Sequence, residues 1–388
     1  MKLDRSRNLA IAPGEGGYLI YDLSSCELHR LNASATLILE FCDGTRSESE
    51  IVAAVSSILA DGEASCRQWI QAAIARGWLV PTPTHNPIVE PPDSSMFAET
   101  SRELRDEGKV LPALVCQEHA TVLQPDLAEY WCALGELAHI VGRRERAREA
   151  YESYLERRPE DAEVKQIVTA LRHESPPSRA PNECVRQLYS RFSAFYEENM
   201  CGDLNYQAPL RIEELLNEHL GETRDLDVLD LGCGTGLSAR PLRSRARSLA
   251  GVDISPEMLE RARATSLYDE LEAAELTSWF GECGTKFDLI VACDTFIYFG
   301  DLRQVVLPAA EHLRPGGWLI FTVEQGTASP YKLTDSGRYS HSEDHVRAVA
   351  DDAGLFVLSL KDGFLRQEYG EAVTGLITLM EKPRRSGH

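Results

Sequence analysis

A candidate ligand-binding turn spans Asp227–Gly236, where an apolar strand runs into three glycines at alternate positions, Gly232, Gly234 and Gly236. Glycine has no Cβ, so the backbone can turn tightly and a ligand can approach the main chain at the N-terminus of the following helix. Many nucleotide-binding folds use such a turn, so the pattern alone has low specificity. Its meaning depends on the elements that follow it.

The segments after this turn predict further strands in a fixed order. They are a strand Ser248–Val252 that ends in Asp253, a strand Phe287–Cys293, a turn Pro315–Gly317 and a strand Trp318–Val323. An acidic residue at the end of the second strand binds ribose hydroxyls in such folds. The ordered set resembles a class I S-adenosylmethionine-dependent methyltransferase over residues 182–382, which implies a Rossmann-like α/β domain with a mostly parallel, seven-stranded sheet. The later segments disfavour an NAD-dependent oxidoreductase.

The resemblance implies S-adenosylmethionine as cofactor, S-adenosylhomocysteine as product, and no metal. The glycine turn would offer backbone N–H groups to the methionyl part of the cofactor, and Asp230 would bind the ammonium group. Asp253 would accept from both ribose hydroxyls, while Ile254 and Met258 would contact the adenine. The residues assigned to the cofactor are Asp230, Gly232, Cys233, Gly234, Gly236, Asp253, Ile254, Met258, Glu275, Leu276 and Asp294.

The acceptor side is predicted at Gly337–Ser342, where substrate loops lie in this fold. Methyl transfer needs positioning more than acid–base chemistry, and a carboxylate acceptor needs no base, whereas an amine or hydroxyl does. Arg338 can clamp a carboxylate, and His341 can orient it or act as base. The catalytic candidates are His341, Arg338 and Tyr339; the substrate-binding candidates in this domain are Tyr196, Tyr206, Phe296, Tyr298, Tyr331 and Arg366. The alternative for residues 337–342 is a surface loop without a role in catalysis.

An aromatic helix over Cys184–Cys201 precedes the methyltransferase-like strands. In small-molecule methyltransferases a helix in this position folds over the cofactor as a lid. An aromatic stripe at helical spacing also occurs in an ordinary core, so the lid and the core remain alternatives at this point.

The N-terminal segment, 1–80, predicts a small α+β domain shaped like a winged helix. Strands are expected at Tyr18–Asp22 and Leu28–Leu31, because apolar and aromatic residues there flank the turn-prone Ser24 and Ser25. Three helices follow. Ser47 and Glu50 have the spacing of a capping box at the start of the second helix.

Two short strings in this domain, Leu31-Asn32-Ala33 and Asp43-Gly44-Thr45, resemble the PqqD-like family of peptide recognition elements. The resemblance implies that the leader of a precursor peptide adds as a strand beside Glu27–Leu31, with Cys66–Ile74 as the opposite wall. The leader-binding candidates are Leu28, His29, Arg30 and Leu31. A domain used only for dimerisation or packing is the alternative.

Between these domains lie a proline-rich linker at 81–93 and a helical region at 94–175, and the methyltransferase domain is placed at 182–384. Pairs such as Gly108 and Gly142, or Pro125 and Pro159, recur at a period that resembles the tetratricopeptide repeat. The array is too short for an independent solenoid, so we expect it to pack on a neighbour. A spacer is favoured over a peptide-binding concavity.

Composition limits the function further. The chain has 388 residues and a formal charge of −21 without a basic segment, which indicates several domains and disfavours nucleic acid. Residues 1–17 contain no apolar core of the length found in signal peptides, and no run of apolar residues is long enough to span a membrane, so no membrane partner and a cytoplasmic location are expected. The ten cysteines form no Cys-x-x-Cys pair and are expected to be reduced thiols. The oligomeric state stays open.

The sequence therefore predicts a methyltransferase that modifies a ribosomally synthesised peptide during natural-product biosynthesis, in the company of other maturation enzymes. O-methylation of a carboxylate, in an Asp or Glu side chain or at the C-terminus, is favoured because Arg338 offers a clamp for an anion. Peptide N-methylation, methylation of a small molecule on a carboxyl or hydroxyl group, and a non-catalytic scaffold that binds the cofactor are the alternatives.

Overall fold

The computed structural model describes residues 1–59, 62–82, 93–172, 175–192, 205–368 and 371–384. These residues divide into two compact units, Met1–Pro159 (unit one) and Glu160–His388 (unit two). The division differs from the four predicted segments, because the helical region is split between the two units. Most of the predicted linker at 81–93 lies outside the described residues.

Unit one opens with the predicted α+β domain. Its elements are β1 (Lys2–Arg5), β2 (Leu9–Gly14), β3 (Gly17–Asp22), β4 (Glu27–Arg30), α1 (Ala33–Phe41), β5 (Asp43–Ser47), α2 (Glu48–Ser56), α3 (Glu63–Ala75) and β6 (Leu79–Pro81). Two antiparallel sheets form, in the orders β5-β1-β6 and β2-β3-β4. The Ser47–Glu50 capping box starts α2, as the sequence predicts, and Asn32 caps α1.

Among the described residues, four helices complete unit one, and a fifth helix of the same series opens unit two. They are α4 (Ser94–Asp106), α5 (Val110–Leu123), α6 (Ala128–Ile140), α7 (Arg144–Arg157) and, in unit two, α8 (Ala162–Leu171). The starts of α4, α6 and α8, and those of α5 and α7, recur at the interval that separates Gly108 from Gly142, as the repeat predicts. Helix α5 packs against β2 and β3, which confirms that the helices pack on a neighbour.

The remainder of unit two alternates strands and helices. Its elements are α9 (Asn182–Phe192), α10 (Ala208–Leu220), β7 (Leu226–Leu231), α11 (Ala239–Arg243), β8 (Ala246–Asp253), α12 (Pro256–Ala264), β9 (Glu270–Ala273), α13 (Leu276–Glu282), β10 (Phe287–Ala292), a 3₁₀ turn (Phe296–Tyr298), α14 (Arg303–His312), β11 (Leu313–Gln325), β12 (Tyr331–Leu333), β13 (Tyr339–His341), α15 (Glu343–Asp352), β14 (Phe356–Glu368) and β15 (Glu371–Glu381).

The strands of unit two form one mixed sheet. Seven of them run in the order β9-β8-β7-β10-β11-β15-β14, with β14 and β15 antiparallel to their neighbours. Within the described residues β13 and β12 add to the end of β11, so the sheet has nine strands and the seven-stranded prediction is incomplete. Because β7, β8, β10 and β11 are parallel, their carboxyl ends meet at one edge and bring their terminal acidic residues together.

A segment before α9 crosses the 3₁₀ turn. The Ala180 N–H donates to the Tyr298 carbonyl at 2.8 Å, and the Gly300 N–H donates to the Ser178 carbonyl at 2.9 Å. These main-chain bonds tie residues 178–180 to the loop after β10. Among the helices of the described residues, we find none that is long and apolar enough to cross a membrane.

Candidate active site

The glycine turn after β7 has a backbone that other residues rarely adopt. The φ angles of Gly232, Gly234 and Gly236 are +64°, +55° and +91°. A Cβ on Gly232 would overlap the side chain of Thr295, so this position also requires a close approach. A Cβ on Gly234 would meet only Met258 Cε, at 3.8 Å, which leaves space above that residue for a ligand.

Four N–H groups of this turn have acceptors inside the protein. Those of Gly232 and Cys233 donate to the Val252 carbonyl at 2.7 and 3.1 Å. Those of Gly236 and Gly234 donate to the Cys233 carbonyl at 2.9 Å and to Asp253 Oδ2 at 2.8 Å. At these four residues the structure contradicts the prediction that the turn offers its N–H groups to the cofactor. The turn instead offers the space above Gly234.

Asp230, at the end of β7, is a buried carboxylate with one unpaired oxygen. Its Oδ2 accepts from the Tyr268 hydroxyl at 2.7 Å and from Ser238 Oγ at 3.1 Å, whereas Oδ1 has no partner among the described atoms. Burial raises the pKa of Asp230 to about 7, against the opposing effect of these hydrogen bonds. A cation would satisfy Oδ1 and restore the charge, so the ammonium group of S-adenosylmethionine fits this position.

Asp253 ends β8 beside the turn. Its Oδ1 accepts from the Ser255 N–H and its Oδ2 from the Gly234 N–H, both at 2.8 Å. Burial raises its pKa. Each carboxylate oxygen can accept a second hydrogen bond, so Asp253 keeps the capacity to receive a pair of ribose hydroxyls. The residues present thus fit the cofactor at both of these acids.

A cavity of about 400 Å³ opens next to Ile254. Its lining residues are Glu183, Arg186, Gln187, Ser190, Ile254, Pro256, Glu257, Ala273, Ala274 and Glu275. Four of these belong to α9, so the N-terminal half of the predicted lid helix forms one wall of the cavity. The rest of that predicted helix, with Tyr196, lies outside the described residues.

Two further residues assigned to the cofactor lie in the core. Met258 and Leu276 are buried, and Met258 Cε lies 3.8 Å from the position that a Cβ on Gly234 would take. Glu275 caps α13, accepting from the Thr277 and Ser278 N–H groups at 3.0 Å, and pairs with Arg179 at 3.1 Å. Although burial opposes it, this hydrogen bonding lowers the pKa of Glu275. The carboxylate is thus already well supplied with donors.

A buried charge network occupies the acceptor side; its members are Asp294, Glu324, Arg338, Arg366 and Glu368. Arg366 is 2 % exposed and donates to Asp294 Oδ2 at 2.7 Å, to Glu368 Oε1 at 3.0 Å and to Glu324 Oε1. Arg338 donates to the same Glu368 oxygen. Asp294 has a left-handed φ of +54°, unusual for a residue other than glycine, and its Oδ1 is buried without a partner among the described atoms.

Tyr298 connects this network to α9. The Tyr298 hydroxyl lies 2.9 Å from the Tyr189 hydroxyl. Burial raises the pKa of Tyr298, and the nearby charge of Arg338 opposes that shift. Glu368 raises the pKa of Arg338, although burial disfavours the charged form. Of the predicted acceptor-side residues, the structure therefore brings Asp294, Tyr298, Arg338 and Arg366 together.

Two of the predicted catalytic residues, His341 and Tyr339, are buried and form hydrogen bonds that stabilise the fold. His341 is 0 % exposed, its Nε2 lies 2.7 Å from the Phe299 carbonyl, and burial lowers its pKa to about 4. A base must reach the acceptor, so the prediction that His341 acts as one is wrong for this structure. Tyr339 is also fully buried and donates its hydroxyl to the Pro177 carbonyl at 2.8 Å, which anchors the segment before α9.

The remaining substrate candidates are dispersed. Phe296 is fully buried and packs on Phe321, so it is a core residue and the prediction that it contacts substrate is wrong for this structure. Tyr331 packs on Tyr339. The Tyr206 hydroxyl lies 3.4 Å from Cys293 Sγ, near the end of β10.

Unit one has its own groove, between β4 and α3, which we call the β4–α3 groove. Strand β4 pairs with β3 on one edge, and no other strand of the described residues pairs with its second edge. A cavity of about 340 Å³ is lined by Arg30, Leu31, Asn32, Ser34, Ala35, Ile38, Val55, Ser56, Leu59, Gly62, Ser65, Cys66 and Trp69. Of the four predicted leader contacts, Arg30 and Leu31 line it; His29 packs on Trp78, and Leu28 is half-buried on the same strand.

The sequence prediction missed several residues of these sites. Glu324 lies at the end of β11, as Asp230 and Asp253 lie at the ends of β7 and β8. Its position at a strand end could therefore have identified it as a site residue. Tyr268 holds Asp230, but nothing in its local sequence indicates that contact. Glu368 lies far along the chain from Arg338, its partner. Among the described residues, no group of three or more His, Cys, Asp or Glu side chains is placed to hold a metal.

A largely parallel sheet with a glycine turn after β7 and acids at the ends of β7, β8 and β10 defines the Rossmann-like class I methyltransferase fold. Residues 228–317 match the family described as "Methyltransferase domain", and residues 17–79 match the family described as "Coenzyme PQQ synthesis protein D (PqqD)". The chain therefore carries an S-adenosylmethionine-dependent methyltransferase domain together with a PqqD domain.

Curated relatives match the methyltransferase part. The chain is 26% identical over 186 residues to the ubiquinone biosynthesis O-methyltransferase of Hydrogenovibrio crunogenus, covering 43% of this chain and 75% of that protein. It is 33% identical over 127 residues to the malonyl-[acyl-carrier protein] O-methyltransferase of Acetivibrio thermocellus, covering 30% of this chain and 44% of that protein. A similar solved structure is the N-methyltransferase NodS of Bradyrhizobium japonicum, with 19% identity, a TM-score of 0.42 and coverage of 51% and 98% of the two chains.

Proposed function

We propose that this chain methylates a ribosomally synthesised peptide, with S-adenosylmethionine as the methyl donor and unit one as the binding site of the peptide's leader. The observation that supports this most directly is that one chain carries both a PqqD domain with an unpaired strand edge and a methyltransferase domain. A catalyst for small molecules needs no such edge.

The β4–α3 groove has the features that an added strand requires. The unpaired edge of β4 offers main-chain donors and acceptors, and the adjoining cavity offers apolar walls from Leu31, Ile38 and Trp69. An extended leader therefore gains affinity from backbone hydrogen bonds and selectivity from an apolar side chain in the cavity. Once the leader is bound, the tethered core peptide reaches the cofactor at a raised effective concentration.

A carboxylate is the acceptor that we favour. His341 is fully buried, so it does not reach an acceptor, and burial lowers its pKa to about 4, which also makes it a weak base. A carboxylate needs no base, and Arg338 and Arg366 supply the cations that hold one. The sulfonium of the cofactor then transfers its methyl group in line to a carboxylate oxygen.

Methylation of a peptide amine is the second candidate. The charge network has three carboxylates and two arginines, so its excess charge is negative, and Asp294 Oδ1 lacks a donor among the described atoms. These features favour a cationic or N–H-bearing group near Asp294. The two acceptors give products of equal mass but different chemical stability, so they can be separated by experiment.

The test is intact-mass spectrometry of the short precursor peptide encoded beside the gene, incubated with the full chain and S-adenosylmethionine. We expect a gain of one methyl group. Mild alkali removes that mass from a methyl ester and leaves an N-methyl group in place. A chain that binds the cofactor and transfers no methyl group to the peptide, before or after its modification by neighbouring enzymes, would contradict the proposal.

A pair of matched variants tests the role of unit one. Ser65→Trp places a large ring in the β4–α3 groove, whereas Ala64→Trp adds the same ring to an exposed position on α3 that does not line it. We expect Ser65→Trp to raise the KM for the peptide about 10-fold or more while the affinity for S-adenosylmethionine is unchanged, as the loss of a tether predicts. Equal effects of the two variants would remove the groove from the proposal.

A further inference from the structure

Two arginines of unit two converge on one carboxylate oxygen. Arg338 Nη1 and Arg366 Nε both donate to Glu368 Oε1, the latter at 3.0 Å. Guanidinium groups that converge in this way are the usual means by which proteins hold a free carboxylate. The side chain of Glu368 thus shows where an external carboxylate would be held.

Arg366 does not need Glu368 to keep its position. Its Nη1 donates to Asp294 Oδ2 at 2.7 Å and its Nη2 donates to Glu324 Oε1. These two carboxylates fix the guanidinium from the inner side and leave its Nε edge to Glu368. The side chain of Arg366 is 2 % exposed, whereas those of Glu368 and Arg338 are 16 % and 23 % exposed. Glu368 is therefore on the more accessible side of the pair.

The charge count favours exchange over addition. With Glu368 in place the network holds two positive and three negative groups. A further carboxylate would leave two negative charges in excess in a buried region, which is costly. If an incoming carboxylate takes the place of Glu368, the number of negative charges around the two arginines does not change. Glu368 ends β14 opposite Glu371, the last pair of its hairpin, so its side chain can turn outward without loss of the strand pairs before it.

We propose that Arg338 and Arg366 form the binding site for the acceptor carboxylate, and that Glu368 occupies this site when no peptide is bound. The site adjoins the cofactor turn through Asp294, since the next residue, Thr295, donates its hydroxyl to the Leu231 carbonyl at 3.0 Å. The identity of the ligand as the methyl acceptor rests on the proposed function. The anion site itself can be tested without any peptide.

The first test removes the resident carboxylate and supplies another. In the full chain, Glu368→Ala leaves the two arginines without their shared partner, and acetate should fill the gap. We expect acetate, compared with chloride at equal ionic strength, to raise the melting temperature of Glu368→Ala by about 2–4 °C at saturation and to leave the wild type unchanged. Glu343→Ala, which breaks an exposed pair with Arg347, is the control and should not respond.

The second test covers the case in which Glu368→Ala does not fold. Glu368→Gln keeps an oxygen that accepts from the arginines but removes the charge, so it holds the site less strongly. We expect it to lower the KM for the precursor peptide about 3–10-fold with kcat nearly unchanged, because the acceptor then competes with a weaker occupant. A side chain with only a structural role would leave KM the same or raise it.

The outcomes separate this inference from the proposed function. A failure of acetate to stabilise Glu368→Ala specifically, or an unchanged or raised KM in Glu368→Gln, overturns the inference even if the wild type methylates the peptide. Specific stabilisation by acetate together with no methyl transfer to any form of the peptide upholds the anion site and overturns the peptide function instead.

Discussion

The residues around the cofactor come from a short stretch of chain, whereas the charge network on the acceptor side comes from β10, β11, the loop before β13 and β14. The glycine turn, Asp230 and Asp253 all fall between positions 230 and 253. The network joins Asp294 to Arg366 and Glu368, far along the chain. The first site depends on local backbone geometry and the second on buried charge pairing.

This difference predicts how each region fails. A site built on backbone geometry should lose function when a side chain is forced into the turn, because no rotation of a neighbour relieves the clash. A site built on paired charges should fail when one charge is removed, because its partners stay buried without compensation. Each prediction below tests one side of this comparison against a matched control.

Gly232→Ala should have the largest effect. The new Cβ would overlap Thr295, and the φ of +64° adds strain of about 1–2 kcal/mol, so we expect a total loss of unfolding free energy above about 2 kcal/mol and no cofactor binding. Urea unfolding and titration calorimetry measure the two effects. In Gly281→Ala the added Cβ meets no atom within 4 Å, and this control should be neutral or slightly stabilising. If both variants behave alike, backbone geometry does not control the cofactor side.

Arg366→Met tests the acceptor side. It leaves the carboxylates of Asp294, Glu324 and Glu368 with fewer cations, and we expect a loss of about 3–5 kcal/mol in unfolding free energy. Arg347→Met breaks an exposed pair with Glu343 and should cost at most about 1 kcal/mol. Urea unfolding compares them. Similar losses for the two variants would show that the network is not a buried charge cluster in solution.

Asp230→Asn should have a smaller effect that is confined to the cofactor. The amide keeps the size of the side chain but cannot attract an ammonium group, so we expect the affinity for S-adenosylmethionine to fall about 10–100-fold with little change in stability. Titration calorimetry measures the affinity. An affinity within twofold of the wild type would remove Asp230 from the cofactor site.

The pH dependence of cofactor binding should show the smallest effect. Folding raises the pKa of Asp230 from its ordinary value of 3.8 to about 7, so the ligand-free protein keeps a proton that the unfolded chain has lost. The contribution of Asp230 to the free energy of unfolding is therefore fully present at pH values below its ordinary pKa of 3.8, and it is lost as the pH rises through about 7. An ammonium partner reverses the shift and releases the proton.

We therefore expect proton release on cofactor binding at about pH 6 and less at about pH 8, measured by calorimetry in buffers with different ionisation enthalpies. Asp230→Asn supplies the control, since it has no proton to release at this position. Equal release by the wild type at both pH values would show that Asp230 is already ionised in the ligand-free protein.

Local signals in the sequence were sufficient for much of the fold. The capping box at Ser47 and Glu50 starts α2, and the strand before Gly232 is β7. The helix starts from α4 to α8 repeat at the interval that separates Gly108 from Gly142. In contrast, β1, β2, β5 and β6 were missed, because short strands without alternating apolar residues carry no strong local pattern. The assignment of the helices to tetratricopeptide repeats stays a prediction.

The site was predicted unevenly for the same reason. Asp230 and Asp253 stand at strand ends next to a glycine turn, and their order along the chain is enough to place them at one edge of the sheet. Arg338 and His341 are close neighbours in the sequence, yet Arg338 joins the charge network while His341 is buried against the Phe299 carbonyl. No local pattern distinguishes these two environments.

The sequence by itself determined the order of β7, β8, β10 and β11, the glycine turn and the acids that follow it, because strand ends and left-handed glycines are encoded within a short stretch of chain. Only the tertiary structure decided that the turn's N–H groups bond to Val252 and Asp253, that Glu368 lies between Arg338 and Arg366, and that His341 is buried. Hydrogen-bond partners and burial depend on segments distant in the chain, and packing brings those segments together.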